Sequence, residues 1–283
     1  MSRVDSPTRP PADGSYAADA GMQLPAASRR RLHGRQVIGL GRLRAKLAKR
    51  LDRWRDRWRT ARQPSRIRLR GVQVAIDRER FSAKIVRRLY DGGYEREECI
   101  AFERTLRPDD RVLELGAGIG YISSAAARRV GSGRVTTIEA NTALAPIISA
   151  THGANNVQPD VRFGVMTAGH DLAPRTFYRH TRNLWSSSLS VPDGPHEAIE
   201  VAALSWAHTL TEVQPSYLVM DIEGGEIELL RELDCEHVRR MLIEFHPRKT
   251  GTGSVVAVFE HLRDLGFRAD RVASGTHIYY FER

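Results

Sequence analysis

Residues 114–120 read Glu-Leu-Gly-Ala-Gly-Ile-Gly and sit between a short apolar run, 111–115, and an Ala-rich stretch, 121–130. Gly116 and Gly118 let a backbone turn tightly and approach a ligand, and the amides that open the next helix favour its polar or anionic portion. Glu139 closes the following apolar run, 23 residues beyond Gly116. An acid at that place can accept hydrogen bonds from ribose hydroxyls. Strand, glycines, helix, strand and terminal acid in this order point to a nucleoside cofactor. The dinucleotide fingerprint needs Gly or Ala three positions after its second glycine. Here that position is Tyr121, which argues against NAD.

A second constellation is Asp221-Ile222-Glu223-Gly224-Gly225-Glu226, followed by Glu244-Phe245-His246-Pro247. Each group ends an apolar run, and in open α/β sheets ligands bind beyond the carboxyl ends of the strands. These acids and His246 are therefore expected at the same crevice as the glycine turn. Glu226, one turn into a helix, is expected only to favour its positive N-terminal end.

The elements that must position these residues follow from periodicity. Short apolar runs at 111–115, 134–139, 161–166, 217–222, 240–245 and 277–281 read as strands, and 121–130, 144–154, 226–233 and 255–265 as helices. Their alternation predicts a mostly parallel sheet covered on both faces. Alternating apolar residues over 67–76 predict a strand pair around Gly71, with helices near 82–89 and 94–106.

The segments VLELGAGIGYIS (112–123), IEAN (138–141), VMDIEGGEIELL (219–230) and IEFHP (243–247) together resemble the FkbM family of methyltransferases over roughly residues 90–282. Glu-x-Gly-x-Gly-x-Gly resembles motif I of the class I S-adenosylmethionine-dependent enzymes. The resemblance implies an α/β, Rossmann-like class I methyltransferase fold, a mostly parallel seven-stranded sheet with helices on both faces, preceded here by a basic N-terminal helical arm. It implies S-adenosylmethionine as methyl donor, contacted by Glu114, Gly116, Ala117, Gly118, Gly120, Tyr121, Glu139, Ala140 and Tyr94, the last in a segment that closes over the donor. The reaction implied is O-methylation of a hydroxyl on a saccharide, glycolipid or small natural product. The family often carries Thr-Leu-Asp ahead of strand four. This chain has Ala203-Leu204-Ser205-Trp206, so no catalytic role is assigned there.

Methyl transfer from a sulfonium needs alignment of donor carbon and acceptor oxygen and removal of the acceptor proton. His246, titrating near neutrality, is the expected general base. Asp221 and Glu223 would orient the acceptor, with Glu244 beside them. The same acids and His246 offer ligands to Mg or Mn, the weak candidate being Asp221 with Glu223. No spacing is diagnostic, so no resident metal is expected. The alternative to an enzyme is a scaffold that keeps the cofactor fold and associates through its basic arm.

That arm carries the chain's excess charge. The formal charge is +10, yet residues 1–70 hold 19 basic and 5 acidic side chains and the remaining body is mildly acidic. A uniformly basic nucleic-acid-binding domain is excluded. The expected organisation is a disordered tail over 1–35, a basic amphipathic helix over 36–63, a strand-and-helix lead-in over 64–93, and a methyltransferase domain over 94–283 with an irregular insertion at 167–200. In the arm, Leu40, Leu43, Leu47, Leu51, Trp54 and Trp58 recur every three or four residues among arginines. Such a helix would dock on its own body or a second copy, or lie on an anionic membrane through residues 37–61; nucleic acid is the least favoured partner. Two cysteines, Cys99 and Cys235, provide no disulfide framework and suit a reducing compartment. Without an apolar run of about 18 residues, the expected location is cytoplasmic, peripheral to the inner face of the membrane if the arm binds lipid. Forty arginines against four lysines read as the codon composition of a GC-rich, bacterial genome.

Overall fold

In a computed structural model of the chain, the structure describes residues 51, 54, 58, 61–181, 187–191, 194–234, 236–273 and 275–283. The tail expected over 1–35 lies outside these, as does most of the basic helix expected over 36–63. Of that stretch Leu51, Trp54, Trp58 and residues 61–63 are described; Leu51, Trp54 and Trp58 are helical and exposed.

The described chain begins with the hairpin β1 (Arg66–Leu69) and β2 (Val72–Ala75), then α1 (Ala83–Tyr90) and α2 (Arg96–Thr105). The alternating part follows as β3 (Val112–Leu115), α3 (Tyr121–Val130), β4 (Val135–Glu139), α4 (Ala145–Ala154) and β5 (Asp160–Phe163). After β6 (Val165–Thr167), β7 (Arg175–His180), β8 (His196–Val201) and β9 (Ala203–Ser205) come α5 (Trp206–Val213), β10 (Tyr217–Met220), α6 (Glu226–Arg231) and β11 (Arg240–Glu244). The chain closes with α7 (Pro247–Thr250), α8 (Thr252–Asp264), β12 (Arg268–Arg271) and β13 (Ile278–Glu282).

Seven strands form the central sheet in the order β12-β13-β11-β10-β3-β4-β5. The pairs from β11 to β5 are parallel, and β13 runs antiparallel to both its neighbours. Strict alternation drives the two layers. Val112, Tyr217, Val219 and Leu242 face the layer holding Phe102, Ile122 and Ile148, whereas Leu113, Leu218, Met220, Met241 and Ile243 face Trp206, Leu230 and Leu262. Each such buried side chain contributes roughly 1.5–3 kcal/mol of transfer free energy.

Register sets the site. Met220 is paired with Leu115 on one side and Ile243 on the other, so Gly116, Asp221 and Glu244 emerge level at one edge of the sheet. Chain order diverges from β3, toward β4 on one side and β10 on the other, which makes this edge a topological switch point.

Three features differ from what periodicity predicts. The seventh strand of the sheet that the resemblance implies is β12, which periodicity does not mark: Arg-Ala-Asp-Arg has no apolar alternation, and it is held as a mostly exposed edge by pairing with β13. The strand expected over 161–166 splits at Gly164, after which β6 leaves the sheet to pair in parallel with β9. The insertion expected to be irregular contains an antiparallel ribbon, β7 with β8, in which Thr176 faces Glu200 and Phe177 faces Ile199.

Candidate active site

The glycine turn is built by close approach. Gly116 has φ 93°, its amide donates to the carbonyl of Ile138 at 2.8 Å, and a Cβ at this position would fall on the carbonyl oxygen of Asp221. Only glycine lets the ends of β3 and β10 meet. Gly118, at φ 54°, donates its amide to Oε2 of Glu139 at 3.0 Å, and the Asn141 amide donates to Oε1 at 2.8 Å. Two backbone donors thus fix a buried carboxylate beside the turn; burial pushes it up to about 7 against those hydrogen bonds. Glu114, beneath the turn, is 1% exposed and accepts from Oγ1 of Thr137 at 2.5 Å. Burial raises it to about 8, opposed by hydrogen bonds from Thr137 and Ser123. Gly120 opens α3 against buried His152, whose Nε2 lies 3.0 Å from Oγ of Ser123 and whose pKa burial lowers to about 4.

Opposite the turn stands an acidic wall. Glu95, just before α2, and Glu98, in its first turn, line the crevice together with Asp221 and Glu244. Burial first, and then the mutual repulsion of these carboxylates, raises Glu98 and Asp221 well above the ordinary range and Glu95 to about 7. Glu223 holds a left-handed φ of 59° and accepts from Nζ of Lys249 at 2.8 Å. Its charge is therefore already paired.

His246 sits behind this wall. Nδ1 lies 2.8 Å from Oε1 of Glu226, and Nε2 faces Oδ1 of Asp221 and Oε2 of Glu223, each at 3.6 Å. An ionised carboxylate only accepts, so Nδ1 carries a proton and Nε2 is the atom turned toward the crevice. Burial alone would lower the ring, but Glu226, Asp221 and Glu223 outweigh it and lift His246 to about 9. The ring is thus an imidazolium at neutral pH. A role as general base requires the ring to release its Nε2 proton first. The expectation for Glu226 is corrected: it is fully buried and holds His246, rather than serving only the helix terminus.

A cavity of about 400 Å³ joins the two halves. It is lined by Tyr94, Glu114, Gly116, Ala117, Gly118, Tyr121, Glu139, Ala140, Asp221, Glu223 and Glu244, so the residues singled out from sequence converge on one space. Gly120 and His246 are not among the lining residues. Glu95, Glu98, Asn141, Phe177, Ser187 and Leu189 also line it. Asn141 ends the IEAN segment, Glu95 and Glu98 belong to the segment that the resemblance implies closes over the donor, and Phe177 and Ser187 lie in the insertion where acceptor recognition is expected; the ribbon β7–β8 brings Phe177 in, and the insertion brings Ser187 and Leu189. A cavity of this size with convergent polar groups suits a small-molecule cofactor and its acceptor.

A seven-stranded, mostly parallel sheet with a strand-order switch point at a glycine turn is the Rossmann-like fold of class I methyltransferases. The family model described as the methyltransferase FkbM domain matches residues 114–269. The chain belongs to that family and is a methyltransferase. No curated protein matches it. Among solved structures, TYW2 of P. horikoshii in complex with MeSAdo is 12% identical, at a TM-score of 0.41 over 76% of this chain and 68% of that one. The Pyrococcus abyssi tRNA (uracil-54, C5)-methyltransferase in complex with S-adenosyl-L-homocysteine is 12% identical, at 0.42 over 77% of this chain and 42% of that one. An O-methyltransferase from Bacillus cereus in complex with SAH is 14% identical, at 0.37 over 65% and 77%.

Proposed function

We propose that the protein transfers a methyl group from S-adenosylmethionine to a hydroxyl of a saccharide, glycolipid or small natural product. In this reading Glu139 accepts from the ribose, the amides of the glycine turn face the rest of the donor, and the acceptor lies between Asp221 and the ribbon residue Phe177. His246 takes the acceptor proton at Nε2. The observation that supports oxygen chemistry is the Glu226–His246 pair: a buried carboxylate orients an imidazole ring so that Nε2 faces the crevice, the orientation a general base needs. Calorimetric titration with S-adenosylmethionine and S-adenosylhomocysteine tests the donor. Binding of neither would leave the scaffold alternative. A mass-spectrometric search of cell extract for a product gaining one methyl group on addition of enzyme and donor identifies the acceptor.

Location has its own support. Leu51, Trp54 and Trp58 are 65%, 67% and 44% exposed in one helical stripe, next to a strongly basic arm. Large apolar side chains among arginines match the interface of an anionic bilayer, where rings sit at headgroup depth and guanidiniums meet phosphates.

A further inference from the structure

We propose that Glu98, Asp221 and Glu244 form a divalent-cation site in the wall of the crevice. One carboxylate oxygen from each lies within 4.8 Å of the others. In six-coordination at about 2.1 Å, neighbouring ligand oxygens stand about 3 Å apart and opposite ones about 4.2 Å, so small side-chain movements seat an ion. The three acids come from α2, the loop after β10 and the end of β11, segments far apart in sequence that the fold has no steric need to bring together through like charges.

Their hydrogen bonding points the same way. Glu98 is 3% exposed, and among the described residues it makes no hydrogen bond or ion pair. Oδ1 of Asp221 is inaccessible to solvent and has no hydrogen-bond partner, its one ion-pair contact being Nε2 of His246 at 3.6 Å. Buried carboxylates are ordinarily paired, hydrogen-bonded or bound to metal. Arg88 also faces the cavity and acts on Glu95 and Glu244 through charge, yet forms no ion pair with this triad among the described residues. A second triad, Asp221, Glu226 and His246, has similar spacing. There Nδ1 of His246 already occupies Oε1 of Glu226 at 2.8 Å, which leaves Oε2 of Glu226 without a hydrogen-bond partner but sets an imidazole where a ligand oxygen is needed. Three carboxylate oxygens and no sulfur select a hard ion, Mg²⁺, Mn²⁺ or Ca²⁺. This departs from the sequence expectation of no resident metal, and from its weak pair Asp221 with Glu223, since Glu223 is committed to Lys249.

Facing the cavity, such an ion would bind an acceptor hydroxyl directly, which rests on the O-methylation reading; the ion binding itself does not. The test titrates Mn²⁺ into chelator-treated full-length protein and follows loss of the free-ion electron paramagnetic resonance signal, with S-adenosylhomocysteine affinity measured on the same samples. The expected result is saturation near one ion per chain, competed by Mg²⁺, weakened about tenfold or more by Glu98→Gln and unchanged by Glu97→Gln on the exposed side of α2. No uptake of Mn²⁺ by the wild type at millimolar concentration overturns the site, whatever the variants do. Unaltered uptake by folded Glu98→Gln and Glu244→Gln also overturns it. Loss of homocysteine-product binding in Glu98→Gln, with no wild-type Mn²⁺ uptake, assigns the acids to the cationic part of the donor instead. Failure of the wild type to bind that product counts against the methyltransferase reading alone.

Discussion

Nδ1 of His246 lies 2.8 Å from Oε1 of Glu226, a carboxylate with no exposed surface. The two residues sit at the ends of different elements, Glu226 at the start of α6 and His246 just after β11. The pairing turns Nε2 toward Asp221 and Glu223 and gives the imidazole a single orientation.

Glu226→Gln should therefore damage chemistry more than binding. An amide can donate to Nδ1 and reverse the tautomer, so Nε2 loses its lone pair toward the crevice. Methyl-transfer rate should fall by about 10²-fold or more, and His246→Ala by about 10²–10⁴-fold. Affinity for S-adenosylhomocysteine should stay within about twofold. Full methylation of the true acceptor by His246→Ala across the pH range rejects the base assignment.

The donor side has a separate signature. Glu139→Ala removes the acceptor of two backbone amides and, in the proposed reading, of the donor's ribose, interactions worth about 1.5–3 kcal/mol for a charged partner. S-adenosylhomocysteine affinity should drop about 10- to 150-fold by calorimetry. Gly116→Ala should abolish binding and lower thermal stability as well, because the new methyl group collides with the Asp221 carbonyl at a backbone angle that favours glycine.

At the opposite end of the sheet, Asp110 and Arg240 form an ion pair whose side chains are 0% and 1% exposed. Asp110 also accepts from Oγ of Ser216 at 2.6 Å and the Arg107 amide at 2.7 Å. Asp110→Ala leaves a buried guanidinium unpaired, and chemical denaturation should register a loss of about 3–5 kcal/mol. Donor binding, measured in the remaining folded protein, should change little.

His152 gives a pH dependence of stability. Burial lowers its pKa to about 4 in the fold, against 6.5 for the free side chain. The unfolded chain therefore binds the proton first on acidification, so this group's contribution is complete above about pH 6.5 and is lost as pH falls toward 4, on the order of 3 kcal/mol. Raised carboxylates such as Glu139 act in the opposite sense: their stabilisation is present at low pH and is lost as pH rises through about 7. The difference between wild type and His152→Gln isolates the histidine. Melting temperatures of the two should converge as pH falls from 6.5 to 4; parallel curves reject the assignment.

For the exposed stripe, co-sedimentation with vesicles of anionic lipid at low salt should recover the wild type in the pellet, and Trp54→Ala with Trp58→Ala should reduce that recovery. Equal recovery with zwitterionic vesicles rejects the electrostatic part, and wild type left in the supernatant rejects the docking itself.

The sequence by itself determined the glycine turn, the acid at Glu139, the acids at Asp221 and Glu244, and five of the parallel and antiparallel core strands in nearly their observed places. These signals are local: a period of two marks a strand, and a motif at a strand end inherits its position from the sheet. Tertiary structure decided the rest. The edge strand β12 has no apolar pattern and exists through its pairing with β13. Glu226 reads as an ordinary helix-terminus acid until packing places it on His246, 20 residues away. Glu98 reads from sequence only as part of the segment that closes over the donor, until the helix sets it against acids more than 100 residues distant. Partners chosen by packing leave no periodicity along the chain, because their meeting depends on how the layers close over the sheet.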